Sequence, residues 1–344
     1  MKILVTGGCG FLGSYACEFY RDRGDSVISY DNMTKYELER VGYGAEAARD
    51  YNWNYLKNIG VEMVKEDIRD FNRLMEYSKG VDFIIHTAAQ PAMTISIENP
   101  ELDFSTNVKG TFNVLKVARE LSVPIVSCGT IHIYGNRINE TLTEQDTRYV
   151  RNPAAIDESH PVVKGTLTPL HASKRSAELY LETYIHSYGL DAASFRLTGL
   201  YGPRQFGGED HGWVANFSIR ALMEKPLRIF GTGKQVRDII FPTDVARAFH
   251  AFYEHGEPGI YNIGGGPGYA ISLLECIDLI GEILGKRPEI RFEDSRVGDL
   301  LYFVCDTRKA EDRLKWRPEI SPKEGVKKLL EWLQEEKKLF KGDI

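Results

Sequence analysis

Three glycines and one aspartate near the start of the chain have the types and the spacing of a dinucleotide site. Gly7, Gly10 and Gly13 follow an apolar run and precede a helical pattern, so the backbone can turn sharply and approach a pyrophosphate. The helix N-terminus presents unpaired N–H groups to phosphate. Asp31 ends the second predicted strand, at the distance where a carboxylate holds an adenosine ribose. The pattern predicts a dinucleotide site; the alternative is a glycine-rich turn beside a solvated aspartate.

The charge at the end of the second strand also bears on which dinucleotide would bind. The carboxylate of Asp31 repels a 2′-phosphate, which favours NAD over NADP. Lys35, four residues further on, would favour the opposite choice. We expect NAD.

Four later segments carry further groups that could take part in chemistry. Small residues in the stretch 86–90 follow a buried strand and would let a cofactor lie against the backbone. Thr130 follows the next strand, at the edge of the sheet where open α/β sheets bind ligands. Lys174 opens a long helical pattern. Arg204 and Arg237 could each form paired hydrogen bonds with a phosphate.

The elements that must position these residues alternate between strands and helices. This rhythm predicts an α/β fold, a Rossmann-type doubly wound parallel sheet. We expect a dinucleotide-binding domain over 1–200, with a crossing strand near 236–245, because the rhythm breaks near residue 200. A smaller, partly interleaved α/β substrate-binding domain is expected over 201–344. Helices are predicted near 102–120 and 171–187.

Composition narrows the possible partners and the compartment. The chain has 344 residues and a net charge of −6, so it has no basic surface of the kind that binds nucleic acid. Its five cysteines are scattered and form no CxxC pair, which argues for reduced thiols and against a metal site. No signal peptide and no membrane-crossing apolar run are evident. We expect a cytoplasmic protein that binds neither nucleic acid nor membranes.

Nearly the whole chain resembles the extended short-chain dehydrogenases/reductases that act on nucleotide sugars. Within that family, several segments are most similar to those of 2-epimerases of CDP-sugars. These segments are 89–100, 146–149, 201–206, 211–214 and 233–238. The resemblance implies NAD as cofactor and a nucleotide-diphosphate sugar as substrate. It also implies a homodimer, formed through the helices near 102–120 and 171–187.

The resemblance implies two sets of binding residues. Those implied for NAD are Gly7, Gly10, Phe11, Leu12, Gly13, Asp31, Asn32, Asp67, Ile68, Thr87, Ala88, Ala89, Gln90, Asn107 and Lys174. Those implied for the substrate are Thr94, Thr130, Arg204, Gln205, Trp213, Arg237, Arg296 and Asp299. The alternatives are surface ion pairs for the arginines and a core position for Trp213.

The mechanism implied by the resemblance is a hydride taken from a sugar carbon and returned to its opposite face. A hydroxyl group, here that of Thr130, works with a tyrosinate whose pKa is lowered by a lysine four residues on, here Lys174. The chain departs from the family pattern at this tyrosine, because residue 170 is leucine. His132 and His171 flank the gap, and either could replace the phenol as a base. The alternative is that both are ordinary polar residues near a cleft.

Several functions follow from this pattern. The leading one is an NAD-dependent nucleotide-sugar epimerase, with Thr130, Lys174, His132 and His171 as its catalytic candidates. The second is a related binding protein that lost turnover with its tyrosine. A dehydratase would need an acidic pair just after Thr130, where Ile131 and His132 stand. An ordinary dehydrogenase is also possible, although nothing marks a freely exchanging cofactor.

Overall fold

Short apolar runs alternate with helices in the computed structural model, which describes residues 1–34, 43, 45–296 and 298–341. Lys35 lies outside the described residues. The strands are β1 (Lys2–Thr6), β2 (Ser26–Tyr30), β3 (Glu62–Val64), β4 (Phe83–His86), β5 (Ile125–Thr130), β6 (Leu142–Glu144), β7 (Tyr149–Arg151), β8 (Ala192–Leu197), β9 (Gly199–Leu200), β10 (Leu227–Phe230), β11 (Val236–Ile240), β12 (Gly259–Ile263), β13 (Ala270–Ser272), β14 (Ile290–Glu293) and β15 (Tyr302–Phe303).

The helices lie between these strands and at the end of the described chain. They are α1 (Phe11–Asp22), α2 (Ala45–Asn58), α3 (Phe71–Tyr77), α4 (Met93–Glu98), α5 (Pro100–Phe104), α6 (Thr111–Leu121), α7 (Pro169–Tyr188), α8 (Trp213–Leu222), α9 (Pro242–His255), α10 (Leu273–Leu284), α11 (Arg308–Leu314) and α12 (Pro322–Glu335). No described helix is long and apolar enough to pass through a bilayer.

Seven parallel strands form the central sheet, in the order β3-β2-β1-β4-β5-β8-β12. Successive side chains point to opposite faces of a strand, so Ile3 and Val5 join one core cluster whereas Leu4 joins another. Helices α1 and α9 cover the first face, and α6 and α7 cover the second. The predicted Rossmann-type fold is confirmed. The strand order reverses between β1 and β4, which opens a crevice at their carboxyl ends.

The C-terminal part forms smaller sheets beside this one. Strand β11 pairs with β9, β13 and β15, and β10 pairs with β14. Helices α8, α10 and α12 pack together over a separate apolar cluster. One expectation is wrong: the strand that returns to the central sheet is β12, not the segment near 236–245, because β11 pairs only within the smaller sheet. The boundary near residue 200 stays a prediction.

The helix predicted over 102–120 is interrupted in its middle. Between α5 and α6 the backbone widens into a π-helical turn, Ser105–Gly110. Such turns are rare and occur often at functional sites. Here the turn carries Asn107, whose side chain donates to the backbone oxygen of Gln90 at 3.0 Å. The widened turn therefore places an amide group against the loop that follows β4.

Asp238 on β11 is fully buried, and this burial gives a pH-dependent stability. Burial raises its pKa to about 6, although the backbone N–H of Gly266 donates to its Oδ2 at 3.0 Å. The folded protein therefore resists ionisation of a group that ionises near pH 4 when unfolded. The protonated carboxyl of Asp238 therefore contributes to the free energy of unfolding. This contribution is fully present below about pH 4 and is lost as the pH rises to about 6, and the loss is at most about 3 kcal/mol.

We expect Asp238→Asn to remove this loss. Relative to the parent, the variant should gain unfolding free energy as the pH rises from 4 to 7, by up to about 3 kcal/mol. Urea unfolding of both proteins at pH 4, 5, 6 and 7 measures the difference. Parallel stability curves would contradict the expectation.

Candidate functional site

Three adjoining cavities follow the carboxyl edge of the central sheet. The first, of about 130 Å³, is the adenosine-side cavity and includes Asp31. The second, of about 340 Å³, is the central cavity and shares Gly7 and Thr87 with the first. The third, of about 390 Å³, is the substrate-side cavity and shares Thr130 with the second. Because neighbouring cavities share lining residues, the three form one continuous groove.

The glycine turn leaves room in this groove that a side chain would fill. Gly7 has φ +70°, and a Cβ there would lie 2.6 Å from the backbone nitrogen of Ala88. Gly13 would collide with the carbonyl of Gly7. Gly10 caps α1 and, with Phe11, Leu12 and Gly13, lines the central cavity. Helix α1 has no acidic residue in its first turn. The predicted turn thus fits a dinucleotide pyrophosphate.

The acidic groups beyond β2 and β3 have different positions. Asp31 lines the adenosine-side cavity and accepts the backbone N–H groups of Cys9 at 3.0 Å and Met33 at 2.7 Å. Asp67 lies behind two lining residues, Asn32 and Arg69, and its expected contact with the cofactor stays a prediction. Burial raises the pKa of Asp67, but hydrogen bonds from Arg69 and Asn32 outweigh it and bring the pKa to about 2. Asn32, Arg69 and Ile68 line the cavity instead.

The loop after β4 forms the wall shared by the first two cavities. Thr87, Ala88, Ala89 and Gln90 all line the adenosine-side cavity. Asn107 lies behind this wall, and its expected contact with the cofactor stays a prediction. Its Oδ1 accepts the backbone N–H of Gln90 at 2.9 Å, and its Nδ2 donates to the backbone oxygen of Gln90 and to the Oδ1 of Asp103. Asn107 therefore holds the loop.

Four side chains meet where the central and substrate-side cavities join. Thr130, His132 and Leu170 line both cavities, and Lys174 lines the central one. Thr130 ends β5, and its hydroxyl oxygen accepts the N–H of His132 at 3.2 Å. Burial lowers the pKa of Lys174, which makes no hydrogen bond to a described residue. Leu170 is only 4% exposed. A leucine thus occupies the place where a phenol was expected.

The two histidines differ in what they can do. His132 faces the groove, and its pKa is lowered to about 3 by burial and then by the charges of Arg237 and His171. His171 does not line the groove, which corrects its expected role as a base. Its Nδ1 accepts the backbone N–H of Thr168 at 3.0 Å and lies 2.8 Å from the hydroxyl of Thr168, so it caps α7. The two rings meet edge to face, with centroids 6.2 Å apart.

Arg204 lines the central cavity, but other side chains already engage its guanidinium, and its expected role as a phosphate ligand stays a prediction. Its guanidinium lies between the rings of Tyr15 and Tyr55, at 4.0 and 4.3 Å from their centroids. Its Nη2 donates to the Oε2 of Glu18 at 2.6 Å. The arginine is 6% exposed and has φ +67°. Glu18 compensates the charge of Arg204. The contacts with Glu18 and Tyr15 hold the loop that carries Gln205 against α1.

The remaining substrate candidates surround the substrate-side cavity. Gln205, Trp213, Arg237, Arg296 and Asp299 line it. Arg237 donates to the backbone oxygens of Val236 and Leu300, and burial lowers its pKa. The hydroxyl of Thr94 donates to the Oδ2 of the lining residue Asp210 at 2.8 Å, and its expected contact with substrate stays a prediction.

Several lining residues are absent from the sequence-based prediction. Most come from segments that carry no motif of their own, whereas Phe206, His211 and Gln235 lie within segments already compared with the family. They are Tyr30, Asn52, Arg69, Cys128, Thr198, Phe206, Glu209, Asp210, His211, Arg228, Phe230 and Gln235. A signal was available for Glu209, Asp210 and His211, because they directly precede the segment 211–214 or lie in it. The described residues contain no cluster of three or more His, Cys, Asp or Glu that could hold a metal ion.

Solved structures of similar fold bind the ligands expected here. The UDP-glucose 4-epimerase of Thermotoga maritima, solved with UDP-glucose, is 28% identical, with a TM-score of 0.80 and 98% of this chain and 99% of that chain covered. The UDP-glucose 4-epimerase of Thermus thermophilus, solved with NAD, is 31% identical, with a TM-score of 0.77 and 97% and 99% covered.

Similar sequences extend over nearly the full length. CDP-paratose 2-epimerase of Salmonella typhi is 34% identical over 349 residues, which cover 96% of this chain and 99% of that protein. A putative UDP-glucose 4-epimerase of Methanocaldococcus jannaschii is 31% identical, with 96% and 98% covered. The model of the NAD-dependent epimerase/dehydratase family matches residues 3–264. The chain therefore belongs to the NAD-dependent epimerase/dehydratase family, as its motifs predict.

Proposed function

We propose that this protein is an epimerase of CDP-linked sugars that inverts C2 through a transient ketone. The observation that carries the proposal is the continuous groove. The glycine turn lines its first two cavities, and Arg237 and Arg296 line the third. The sugar and its carbon are suggested by the similarity to CDP-paratose 2-epimerase. Hydride transfer from the sugar and back needs the cofactor and the sugar in contact, and the residues shared by the central and substrate-side cavities mark the place where they would meet.

The residues of the first two cavities fit NAD. The turn at Gly7 and Gly10 receives the pyrophosphate, Asp31 the adenosine ribose and Lys174 the nicotinamide ribose. When bound, NAD supplies an acceptor that takes a hydride from the sugar carbon and returns it to the opposite face. The sugar must therefore turn or shift within the substrate-side cavity before the hydride returns.

Proton transfer falls to Thr130 and His132. Leu170 can neither accept nor donate a proton, whereas neutral His132 lies in the groove and has a ring nitrogen that can accept one. The hydroxyl of Thr130 can donate to the sugar oxygen. After burial, the charge of Arg237 is the next contribution to the low pKa of His132. A diphosphate bound to Arg237 would offset that charge, and so raise the basicity of His132 when substrate is present.

The test is a turnover assay with purified protein. CDP-paratose and a matched set of CDP- and UDP-hexoses are incubated with and without added NAD, and the epimers are separated chromatographically. The proposal expects an equilibrium mixture of C2 epimers from the CDP-sugar, with no net NADH formed. Absence of any epimer from every sugar, with NAD and CDP both bound, would contradict it.

The second candidate is a binding protein without turnover, and Leu170 is the observation that favours it. The variant Leu170→Tyr distinguishes the two, because it places a phenol four residues before Lys174 at the junction. If His132 has taken over proton transfer, we expect Leu170→Tyr to change turnover by less than about tenfold, since the base is already present. An inactive parent that gains activity by a factor of about 100 or more with this change would establish the second candidate instead.

We also propose a homodimer formed through α5, α6 and α7. Seven large apolar side chains exposed by at least 37% lie on or next to α4–α7: Ile97, Phe104, Phe112, Leu167, Leu179, Tyr180 and Tyr188. An exposed apolar surface of this kind usually marks an interface. We expect a dimer by analytical ultracentrifugation, and Phe112→Glu combined with Tyr180→Glu should yield monomer. A monomeric parent at micromolar concentration would contradict the proposal.

A cytoplasmic location, with all five cysteines free, stays a prediction.

A further inference from the structure

Two neighbouring carboxylates line the substrate-side cavity, although the ligand proposed for it carries two negatively charged phosphates. Glu209 and Asp210 lie on the loop that leads into α8. Carboxylates near a diphosphate weaken its binding, because like charges repel. They become favourable only where the ligand presents hydrogen-bond donors to them. Their position therefore indicates a ligand with donor groups at this end of the cavity.

One oxygen of this pair is free to accept a hydrogen bond. Glu209 is engaged by the Nη1 of Arg228 at 3.0 and 3.2 Å. The Oδ2 of Asp210 accepts from the hydroxyl of Thr94. The Oδ1 of Asp210 forms an ion pair with the Nη2 of Arg296 at 3.8 Å, which is too long for a hydrogen bond. Among the described residues this oxygen accepts no hydrogen bond, and the side chain is 24% exposed.

Gln235 gives an independent indication of missing donors in the same cavity. Its Nε2 donates to the backbone oxygen of Phe230 at 2.6 Å and to the Oδ2 of Asp299 at 3.2 Å. Its Oε1 has no partner among the described residues, although the residue is only 5% exposed. A buried carbonyl oxygen without a donor is costly, so a donor on the ligand would stabilise it. The two oxygens that accept no hydrogen bond from a described residue, the Oδ1 of Asp210 and the Oε1 of Gln235, are thus both acceptors.

A flat surface lies beside the carboxylates. Phe230 lines the cavity, and the guanidinium groups of Arg296 and Arg228 lie 3.9 and 5.6 Å from its ring centroid. The same two arginines are the partners of Asp210 and Glu209. The acidic pair is therefore close to a surface of stacked aromatic and guanidinium planes. Nucleobases stack on such surfaces.

We propose that the nucleobase lies at this end of the cavity and that Glu209 and Asp210 select cytosine over uracil. Cytosine carries an amino group at position 4, which donates to a carboxylate, whereas a pyrimidine with O4 presents an acceptor that a carboxylate repels. The pair thus strengthens binding of the cytidine nucleotide and weakens binding of the uridine nucleotide, through the group at position 4 of the base. This inference rests on the proposed function, because it assumes that a pyrimidine nucleotide sugar is the ligand.

The test measures binding of CDP and UDP to the NAD-loaded protein by isothermal titration calorimetry. The parent is compared with Glu209→Gln/Asp210→Asn and with the control Glu293→Gln, which removes an acid paired with Arg228 at 3.2 Å but outside the cavity lining. Removing two negative charges should strengthen binding of both diphosphates. The readout is therefore the ratio of the two dissociation constants, not either one alone.

We expect the parent to prefer CDP by about tenfold or more, the control to keep that preference, and the double variant to lose at least a factor of about ten from it. A single Asp210→Asn variant should lose most of this factor, because the free oxygen belongs to Asp210. A parent without preference, or a double variant that keeps the full preference, would overturn the inference. Failure of the epimerase assay with intact CDP preference would overturn the proposed reaction alone.

Discussion

The variant His132→Asn is expected to keep NAD and CDP binding and to lose turnover by about 10²–10⁴-fold, the range that general acid–base catalysis contributes. Asparagine keeps a polar side chain at the junction but cannot take a proton from the sugar hydroxyl. Two histidines, His132 and His211, line both cavities. The Nε2 of His211 lies 3.1 Å from the backbone oxygen of Phe206, whereas the ring of His132 makes no hydrogen bond to a described residue, so His132 is the base that we assign. Steady-state rates with saturating CDP-sugar, together with separate binding measurements, test the expectation.

The matched control for this variant is His171→Asn. This residue caps α7 and does not line the groove, so its loss should cost about 1 kcal/mol of stability and change turnover by only a few-fold. Thermal unfolding and the same rate assay measure both effects. If His171→Asn abolished turnover while His132→Asn did not, the assignment of the base would be wrong.

Lys174→Met is expected to separate activity from stability. The ammonium group of Lys174 lies at the junction, where burial lowers its pKa, and it makes no hydrogen bond to a described residue. Holding a charge there destabilises the folded protein, so methionine should leave Tm unchanged or raise it. Without the ammonium, the nicotinamide ribose has lost its partner, and we expect turnover to fall by about 100-fold or more with weaker NAD retention.

The exposed residue Lys109 provides a control of the same substitution type. Lys109→Met should change neither turnover nor the amount of NAD that copurifies, because its side chain lies on the outer side of the π-helical turn. Copurified NAD is measured after acid release, and Tm by calorimetry. A Lys174→Met protein that keeps full turnover, or that unfolds at a clearly lower temperature than the parent, would contradict the role given to this lysine.

The sequence was sufficient to predict the parts of the site that depend on local backbone geometry. The glycine turn could be predicted because only residues without a Cβ fit there, as the close approach of Gly7 to Ala88 shows. Thr130 and Lys174 could be placed because the carboxyl end of a parallel strand and the first turns of the next helix face the same crevice. The membership of the family followed from the same segments.

Other positions depended on contacts that the sequence analysis did not include. Arg204 was expected at the diphosphate, but Tyr55, from a helix distant in the sequence, and Glu18 engage it. His171 was expected in the groove because of its spacing from Lys174, but the capping hydrogen bonds to Thr168 turn it to the helix terminus. A tertiary partner decided the orientation of Arg204, whereas a local capping hydrogen bond decided that of His171.

The most direct test of the proposed epimerisation follows one atom. The protein is incubated with CDP-paratose that carries deuterium at C2, in ordinary water, and the recovered epimers are analysed by mass spectrometry and NMR. Hydride removal and return predicts that the inverted sugar keeps its deuterium at C2 and that no NADH accumulates. An inverted sugar that has exchanged its deuterium for solvent hydrogen would contradict the account, because inversion would then proceed by loss of a proton from carbon.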